Sequence, residues 1–385
     1  MTWPEHTIAL INARVLTGQD FVTSTAVVLA GGQVQALVPA ADLDHTIARV
    51  DLDGDWLLPG FIDAQVNGGG GVLFNNTPTE AGVRAIACAH RNFGTTGLLP
   101  TLITDDVPAM RAGIAAVAAA IAAGAPGILG IHLEGPWLAQ ARKGTHDARK
   151  FRVPDSAEIA LATSLRGGVT LITLAPEQVS TDTVRALVQR GAIVAGGHSD
   201  ASYERTRAAI DAGITGFTHL YNAMSPLQGR EPGVVGAALE DRDTWLGVIA
   251  DGVHVHAASL RLALHAKPRG KVFLVTDAMP MVGSHTPNFD LYGETITARD
   301  GVVRNAAGSL AGSALDMLSA LRNAVSMLGV PLAEAARMAA TYPADFLGLA
   351  RSHGRIAPGY RADLVRLDQD LQLRGTWIGG EYQAS

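Results

Sequence analysis

The sequence predicts an α/β fold: a (β/α)8 barrel of the TIM type with a small β-sandwich domain formed from both chain ends. Two observations carry this prediction. Through the middle of the chain, short apolar runs rich in β-branched residues alternate with helix-like segments, as expected for parallel strands that are covered on both faces. At both chain ends, apolar and polar residues alternate with a period of two, which is typical of antiparallel strands.

Eight runs are predicted to form the barrel strands. They span residues 57–63, 97–103, 127–134, 169–175, 192–198, 216–222, 245–251 and 271–277. Eight strands that alternate with helices match the closed barrel of eight parallel strands. A doubly wound open sheet is the alternative, because counting strands does not show that the sheet closes.

The predicted domains follow the same change of pattern. Residues 59–349 form the barrel, and residues 1–58 together with 350–385 form the small β-domain, with strands expected within 7–17, 26–37 and 362–372 and at Trp56. Inside the barrel, Thr77-Pro78-Thr79-Glu80 predicts a helix N-terminus with Thr77 as its cap. Ser180 or Thr181 is expected to cap a later helix.

Composition excludes several classes of protein. Apolar residues make up 48% and charged residues 17% of the chain, which excludes a disordered protein. The 30 Lys and Arg against 36 Asp and Glu give a net charge of -6, which argues against a nucleic-acid partner. The single cysteine, Cys88, excludes a disulfide framework and suits a reducing compartment. Residues 2–9 show no export-signal pattern, so we expect a cytoplasmic protein.

Residues 112–133 are apolar enough to be mistaken for a membrane span. They consist mostly of Ala and Gly, contain Pro126 and are followed directly by Glu134. A spanning helix would be rich in Leu, Ile and Phe instead. The prediction is a helix followed by a strand, and no membrane partner.

Polar and ionisable residues follow six of the eight runs. They occur in Asp63-Ala64-Gln65-Val66-Asn67-Gly68, His132-Leu133-Glu134, Gly197-His198-Ser199, Thr218-His219, Asp251-Gly252-Val253-His254 and Thr276-Asp277. In a closed barrel, the C-terminal ends of the strands share one face, which is the usual place for an active site. The sequence therefore predicts an active site at that face.

Glu134, His198 and His219 offer one carboxylate and two imidazoles, which suit a divalent ion such as zinc. Three protein ligands leave one coordination position open for water, as a catalytic site requires. A lone histidine at a strand end is more often structural, so the prediction depends on the three residues together. Asp277 is the expected general base, with a further metal ligand or a helix N-cap as its alternative role.

Several segments resemble those of the N-acetylglucosamine-6-phosphate deacetylases, a family of the amidohydrolase superfamily. The resemblance extends from about residue 57 to residue 349. It is carried by Pro59-Gly60-Phe61-Ile62-Asp63, His132-Leu133-Glu134-Gly135-Pro136, Lys143-Gly144-Thr145-His146, Gly197-His198-Ser199, Thr218-His219-Leu220-Tyr221-Asn222-Ala223-Met224, Gly229-Arg230-Glu231-Pro232-Gly233, Asp251-Gly252-Val253-His254 and Thr276-Asp277-Ala278.

The resemblance implies a role for each of these positions. Glu134, His198 and His219 would hold the metal, Asp277 would be the catalytic acid and base, and His146 would hydrogen-bond the oxygen of the acetamide. Arg230 and His254 would bind the sugar phosphate, and either of the two could be supplied by the neighbouring subunit of a homodimer. Further substrate contacts are expected at Gln65, Asn222, Ala223, Leu310 and Ala311.

A single ion, with zinc as its identity, is expected for this chain. The first barrel strand contains no His-x-His pair to bind a second metal. All four lysines, at 143, 150, 267 and 271, lie in loops or at a strand start, so none is placed to bridge two ions.

The expected reaction is metal-dependent hydrolysis of the acetamide of N-acetylglucosamine 6-phosphate to glucosamine 6-phosphate and acetate. Asp277 would first take a proton from the attacking water and then deliver it to the departing amine. Deacetylation of the galactosamine epimer and hydrolysis of another amide, such as that of an acylated amino acid, are alternatives. A scaffold that binds a sugar phosphate without catalysis is a third reading.

Overall fold

The structure is a computed structural model that describes residues 6–385 of the chain. Its first part consists of seven short strands: β1 (Ile8–Ile11), β2 (Arg14–Thr17), β3 (Asp20–Val22), β4 (Thr25–Ala30), β5 (Gln33–Pro39), β6 (Ala48–Asp51) and β7 (Trp56–Pro59). One sheet has the order β5-β4-β1-β6, while β2, β3 and β7 belong to a second sheet. The β1–β6 and β2–β7 pairs are parallel, so the small domain is not purely antiparallel as the alternation had suggested.

The barrel strands come next along the chain. They are β8 (Phe61–Val66), β11 (Thr95–Ile103), β12 (Gly130–Glu134), β13 (Val169–Leu174), β14 (Ile193–Gly196), β15 (Ile214–Phe217), β16 (Trp245–Val248) and β17 (Val272–Leu274), with the two-residue strands β9 (Gly68–Gly69) and β10 (Val72–Leu73) after β8. Each strand pairs in parallel with the next. A parallel bridge between Val66 and Ala278 joins the first strand to the residues after the last. This bridge closes the sheet, which confirms the barrel and excludes the open doubly wound sheet.

The first predicted barrel run, 57–63, is split between two sheets. Leu57 and Leu58 lie in β7, which pairs with strands of the small domain, whereas the barrel strand β8 begins only at Phe61. The chain crosses between the sheets at Gly60, where a Cβ would lie 2.0 Å from Oγ1 of Thr96. Only glycine fits this close approach, and an uninterrupted apolar run could not show where one strand ends and the next begins.

The described chain contains ten α-helices, most of which alternate with the barrel strands. They are α1 (Glu80–Arg91), α2 (Val107–Ala122), α3 (Ser156–Ala162), α4 (Thr181–Gln189), α5 (Tyr203–Ala212), α6 (Gly233–Glu240), α7 (Ala257–Ala266), α8 (Met317–Ser326), α9 (Leu332–Ala339) and α10 (Thr341–Phe346). Ser180 caps α4, as predicted. The cap of α1 is Thr79 rather than Thr77, because the Thr79 hydroxyl accepts the N–H of Gly82 and Pro78 therefore precedes the cap.

A three-stranded antiparallel sheet after the last barrel strand is absent from the sequence prediction. It consists of β18 (Asn288–Leu291), β19 (Glu294–Arg299) and β20 (Val302–Arg304). Its apolar face packs Phe289 and Ile296 against Ile103 and Met279, which lie at the barrel mouth. We call this element the mouth sheet, since it borders one side of the barrel opening.

The C-terminal strands return to the small domain. β21 (Leu364–Leu367), β22 (Leu373–Ile378) and β23 (Glu381–Ala384) complete a sheet of order β23-β22-β21-β7-β2-β3. A buried cluster joins this sheet to the first one, with Leu10 and Val27 on one side and Val15, Leu364 and Trp377 on the other. The β-sandwich built from both chain ends is therefore confirmed. Within residues 6–385, no helix has the length and apolar content needed to cross a membrane.

Candidate active site

Three side chains that could hold a metal converge at the barrel mouth. Glu134 is the last residue of β12, and His198 and His219 each lie two residues beyond the end of a barrel strand. Oε1 of Glu134 lies 3.1 Å from Nε2 of His198 and 2.9 Å from Nε2 of His219, and the two Nε2 atoms are 3.1 Å apart. All three side chains are buried, so the structure brings the predicted ligand set together.

The backbone turns sharply where these side chains enter the mouth. His198, His219 and Asp277 have φ values of 49°, 34° and 53°, in the left-handed region that non-glycine residues rarely occupy. Each such residue costs about 1–3 kcal/mol, which the surrounding packing must offset. The strands β14, β15 and β17 therefore end earlier than the predicted runs, because the site residues belong to turns rather than to strands.

The ligand set fits a divalent cation. Nδ1 of His198 lies 2.9 Å from the carbonyl oxygen of Arg142, so this nitrogen carries a proton and Nε2 faces Glu134. Two imidazole nitrogens crowded on one carboxylate oxygen need a positive charge between them, whether as protons or as a metal ion. Burial alone would raise the pKa of Glu134, but the hydrogen bonds from His198 and His219 outweigh it and hold the pKa well below its usual value. A nitrogen and oxygen donor set of this kind is typical of zinc sites.

Asp277 lies beside this set and is held by two amides. Its Oδ1 accepts hydrogen bonds from Nδ2 of Asn67 at 2.6 Å and from Nε2 of Gln65 at 3.1 Å. Gln65 also donates to Oε2 of Glu134 at 3.1 Å, so its amide lies between the two carboxyl groups. Burial, together with the negative charge of Glu134, raises the pKa of Asp277 to about 6. Asp277 caps no described helix, since α8 is capped by Asp316.

His146 contributes a third imidazole without joining the ligand set. Its Nε2 lies 3.9 Å from Oε1 of Glu134, and its ring centroid is 4.3 Å from that of His198. Its Nδ1 lies 2.9 Å from the hydroxyl of Thr104. Burial, with the nearby charge of His198, lowers the pKa of His146 to about 3, so the ring is neutral at pH 7.

A cavity of about 350 Å³ opens above these residues. Of the sequence-predicted residues, it is lined by Glu134, His146, His198, His219, Asn222, Ala223, His254, Asp277 and Leu310. Gln65 is buried beneath the cavity, and Ala311 is buried in the core of the mouth sheet. Arg230 is exposed in the loop between β15 and α6 and does not line the cavity.

The sequence prediction gives no role to several lining residues, among them Asn67, Arg142 and Thr145, although Asn67 belongs to one of the polar segments expected at the barrel mouth. A role for Asn67 could have been inferred, because it lies two residues after Gln65, and residues two apart in an extended chain point to the same face. Arg142 and Thr145 lie in an irregular loop after β12, where no periodicity indicates which side chains face inward.

His254 is fixed at the edge of the cavity by an acidic partner. Its Nδ1 lies 2.6 Å from Oδ2 of Asp251, whose Oδ1 accepts the backbone N–H groups of Val253 and His254. Burial would raise the pKa of Asp251, but the hydrogen bond with His254 outweighs it and the pKa is lowered. The contact with Asp251 therefore fixes the orientation of the His254 ring, which lines the cavity.

Known proteins resemble this chain over almost its whole length. The family model for the amidohydrolase family matches residues 56–382, and the model for the NagA composite domain matches residues 8–57. The N-acetylgalactosamine-6-phosphate deacetylase of Shewanella sp. strain ANA-3 is 44% identical and is covered to 95%, over 97% of this chain. The N-acetylglucosamine-6-phosphate deacetylase of Haemophilus influenzae is 34% identical and is covered to 99%, again over 97% of this chain.

A solved structure also has nearly the same fold over almost the whole length of this chain. The crystal structure of N-acetylglucosamine-6-phosphate deacetylase from Pasteurella multocida matches with a TM-score of 0.95 at 35% identity, over 98% of this chain and 100% of that one. The chain belongs to the amidohydrolase family. Within that family it groups with deacetylases of N-acetylhexosamine 6-phosphates, which confirms the resemblance seen in the sequence.

Proposed function

We propose that the protein hydrolyses the acetamide of N-acetylglucosamine 6-phosphate to glucosamine 6-phosphate and acetate in a metal-dependent reaction. The observation that carries the proposal is the convergence of Glu134, His198 and His219 in the cavity that also contains Asp277 and His146. The names of the relatives supply the substrate class. The cavity supplies the groups that amide hydrolysis requires: a cation site, a proton carrier and a hydrogen-bond donor.

Glu134, His198 and His219 would hold one divalent ion, which we propose to be zinc. When bound, such an ion polarises an amide carbonyl and lowers the pKa of a water molecule next to it. The amide of Gln65, which bonds to both Glu134 and Asp277, occupies the space between the two carboxyl groups. This placement supports a single ion, because a second metal between those groups would have to displace the amide.

Asp277 carries the proton from the water to the leaving group. Its Oδ1 is taken by Asn67 and Gln65, and no side chain of residues 6–385 donates to Oδ2, which is therefore the oxygen free to exchange a proton. As the water oxygen forms its bond to the acetyl carbon, Oδ2 accepts a water proton. When the carbon–nitrogen bond breaks, Oδ2 returns that proton to the amine nitrogen. A pKa near 6 suits both steps at neutral pH.

The remaining residues bind and orient the sugar. His146 donates a hydrogen bond to the acetamide oxygen, where negative charge develops. Asn222, Ala223 and Leu310 line the cavity where the sugar ring would lie. His254 would bind the phosphate from within the same chain.

In a homodimer, Arg230 of one subunit would reach the cavity of the neighbouring subunit and bind the phosphate there. Its exposure and its position outside its own chain's cavity support this assignment over a role within one chain. A guanidinium group suits the task, because its planar fork can bind two phosphate oxygens at once.

We also propose a division of the chain into a small domain of residues 1–58 and 350–385 and a barrel domain of residues 59–349. The separate buried cluster between the two end sheets supports this division. A cytoplasmic location is supported by the single cysteine, Cys88, which has no partner with which to form a disulfide within the chain.

Acetate release from N-acetylglucosamine 6-phosphate, with and without a chelator, tests the proposal. We expect turnover that is lost when the metal is removed and restored by zinc. A stable protein that binds the sugar phosphate but never releases acetate would favour the non-catalytic scaffold instead. Hydrolysis of acylated amino acids in preference to either sugar phosphate would place the chain with other amidohydrolases.

N-acetylgalactosamine 6-phosphate is the second candidate substrate. The 44% identity to a protein named as the deacetylase of that epimer favours it, since this value exceeds the 34% found for the Haemophilus influenzae enzyme. The ratio of kcat/KM for the two epimers, measured on one preparation of known metal content, decides between them.

A further inference from the structure

Thr104 contacts the inner nitrogen of His146 in two ways. Thr104 is the first residue after β11 and is 1% exposed. Its hydroxyl lies 2.9 Å from Nδ1 of His146, and its backbone N–H donates to the same nitrogen at 3.4 Å. Gly135 makes room for the hydroxyl, since a Cβ at that position would lie 2.4 Å from Oγ1 of Thr104.

These contacts determine which nitrogen of His146 carries the proton. A backbone N–H can only donate, so Nδ1 must present a lone pair to it, and the hydroxyl then donates to the same nitrogen. An imidazole whose Nδ1 carries no proton has its single proton on Nε2, so Nε2 is the donor nitrogen of His146. Nε2 lies 3.9 Å from Oε1 of Glu134, one of the proposed metal ligands.

We propose that Thr104 is a positioning residue that fixes the Nε2–H tautomer of His146, which makes His146 a hydrogen-bond donor and keeps it from becoming a third imidazole ligand. The donor role toward an acetamide oxygen rests on the proposed function, whereas the tautomer itself does not. A protonated Nε2 has no lone pair for a metal, so the two contacts with Thr104 separate the role of His146 from that of His198.

The mouth sheet holds Thr104 in place from the other side. Tyr292, in the turn between β18 and β19, donates its hydroxyl to the carbonyl oxygen of Thr104. The ammonium group of Lys150 lies 5.6 Å from the centre of the Tyr292 ring and forms an ion pair with Asp105. The position of His146 therefore depends on the packed mouth sheet, and not only on the loop after β12 that carries His146.

Nitrogen-15 NMR of histidine-labelled protein tests the tautomer directly, because protonated and unprotonated ring nitrogens differ strongly in chemical shift. The His146 signals are assigned by their loss in His146→Gln. In the wild-type protein, with and without zinc, we expect a protonated Nε2 and an unprotonated Nδ1. A protonated Nδ1 in the wild-type protein would overturn the proposal whether or not any variant folds.

Two substitutions at Thr104 separate the hydroxyl from the shape of the side chain. Thr104→Val keeps the shape and loses the hydroxyl, and we expect a mixture of tautomers and a fall in kcat of about 10- to 100-fold, less than the 10²–10³-fold typical for complete loss of an oxyanion donor. KM should change less than about 3-fold, since ground-state binding is retained. Thr104→Ser restores the hydroxyl, and we expect it to restore the single tautomer and most of the rate. A valine variant that keeps the wild-type tautomer would refute the role of the Thr104 hydroxyl, since valine retains the backbone N–H.

Zinc affinity completes the test. We expect His146→Gln to bind zinc within about 3-fold of the wild-type protein, because His146 is not a ligand, whereas loss of a true ligand costs far more. A large loss of affinity would overturn the exclusion of His146 from the metal. A protein with the expected tautomer but no deacetylase activity would refute the proposed function and leave the tautomer assignment standing.

Discussion

The carboxyl group of Asp63 offers a test of the buried network beneath the site. Asp63 lies in β8 and is fully buried. Its Oδ1 accepts the backbone N–H groups of Gln65 at 3.2 Å and of Thr276 at 3.3 Å, and its Oδ2 lies 2.5 Å from the hydroxyl of Thr276. Thr276 directly precedes Asp277, so Asp63 supports the turn that carries the proposed proton carrier. Burial raises the pKa of Asp63 to about 7.

The raised pKa of Asp63 makes the free energy of unfolding depend on pH, and the size and sign of this dependence follow from the difference in bound protons between the folded and unfolded chain. Between the ordinary pKa of 3.8 and about 7, folded Asp63 keeps a proton that the unfolded chain has released. The folded state binds more protons, so the free energy of unfolding falls as pH rises, by about 1.36 kcal/mol per pH unit. Between pH 5 and pH 7 this group alone lowers the free energy of unfolding by roughly 2 kcal/mol, and between pH 5 and pH 8 by about 3 kcal/mol, after which its contribution is nearly constant.

Asp63→Asn removes this pH dependence while preserving the hydrogen-bond pattern of the neutral acid. The amide oxygen can accept both backbone N–H groups. The Thr276 hydroxyl donates to Oδ2 when Asp63 is ionised, and because a hydroxyl can also accept, it can turn to accept a proton from the neutral acid or from the amide nitrogen. The free energy of unfolding is measured by denaturant titration at pH 5, 6, 7 and 8, with equal zinc in both proteins. We expect the variant's free energy of unfolding, relative to wild type, to rise by about 3 kcal/mol between pH 5 and pH 8.

The control is Asp182→Asn, the same chemical change on the exposed surface of α4. Its difference from wild type should stay within about 0.5 kcal/mol at every pH, as is usual for surface substitutions. Parallel pH curves for Asp63→Asn and the wild-type protein would show that Asp63 is already ionised when folded at pH 5. That result would refute the assignment of a neutral carboxyl group.

Three further predictions concern catalysis. Asp277→Asn should lower kcat by roughly 10²- to 10⁴-fold and leave zinc content near one per chain, as checked by metal analysis; loss of zinc would make Asp277 a ligand instead. Asn67→Ala removes one of two donors to Asp277 and should lower kcat about 10-fold with little change in KM; an unchanged kcat would show that Gln65 alone holds the carboxyl group. Arg230→Ala should raise KM for the phosphorylated sugar at least 10-fold more than for the unphosphorylated sugar, and equal effects would remove Arg230 from the phosphate site.

The barrel could be predicted because its signal is repeated eight times, whereas the mouth sheet interrupts that repeat. A local signal for the mouth sheet did exist. Tyr292-Gly293 and Asp300-Gly301 both have positive φ at successive residues, and Asp-Gly between alternating apolar residues is a strong hairpin signal. Phe289 and Leu291 alternate with exposed neighbours, as in a strand with one buried face. These hairpins are short and antiparallel, so they do not match the pattern of the repeated parallel barrel strands.

The convergence of Glu134, His198 and His219 could be predicted because each lies at or just beyond the C-terminal end of a barrel strand, where topology fixes the position of a side chain. The contact of Thr104 with His146 could not, since it joins the end of β11 to the irregular loop after β12. No sequence spacing encodes how such a loop folds back across the mouth. Arg230 shows the same limit, because its place in a loop indicates exposure but not which chain's cavity it would serve.

The sequence supplied two carboxyl groups for the site, and only the structure shows why their chemistry differs. Glu134 and Asp277 are both buried, and burial alone would raise the pKa of each. Two imidazoles bond to Glu134 and hold it ionised, whereas the donors to Asp277 are neutral amides and the nearby charge of Glu134 opposes its ionisation. When the surroundings of two carboxyl groups push their pKa values apart, the group with the lower pKa stays ionised and the group with the higher pKa can serve as acid and base. These environments fit the proposed roles, in which Glu134 stays ionised and holds a cation while Asp277 gains and loses a proton within each turnover.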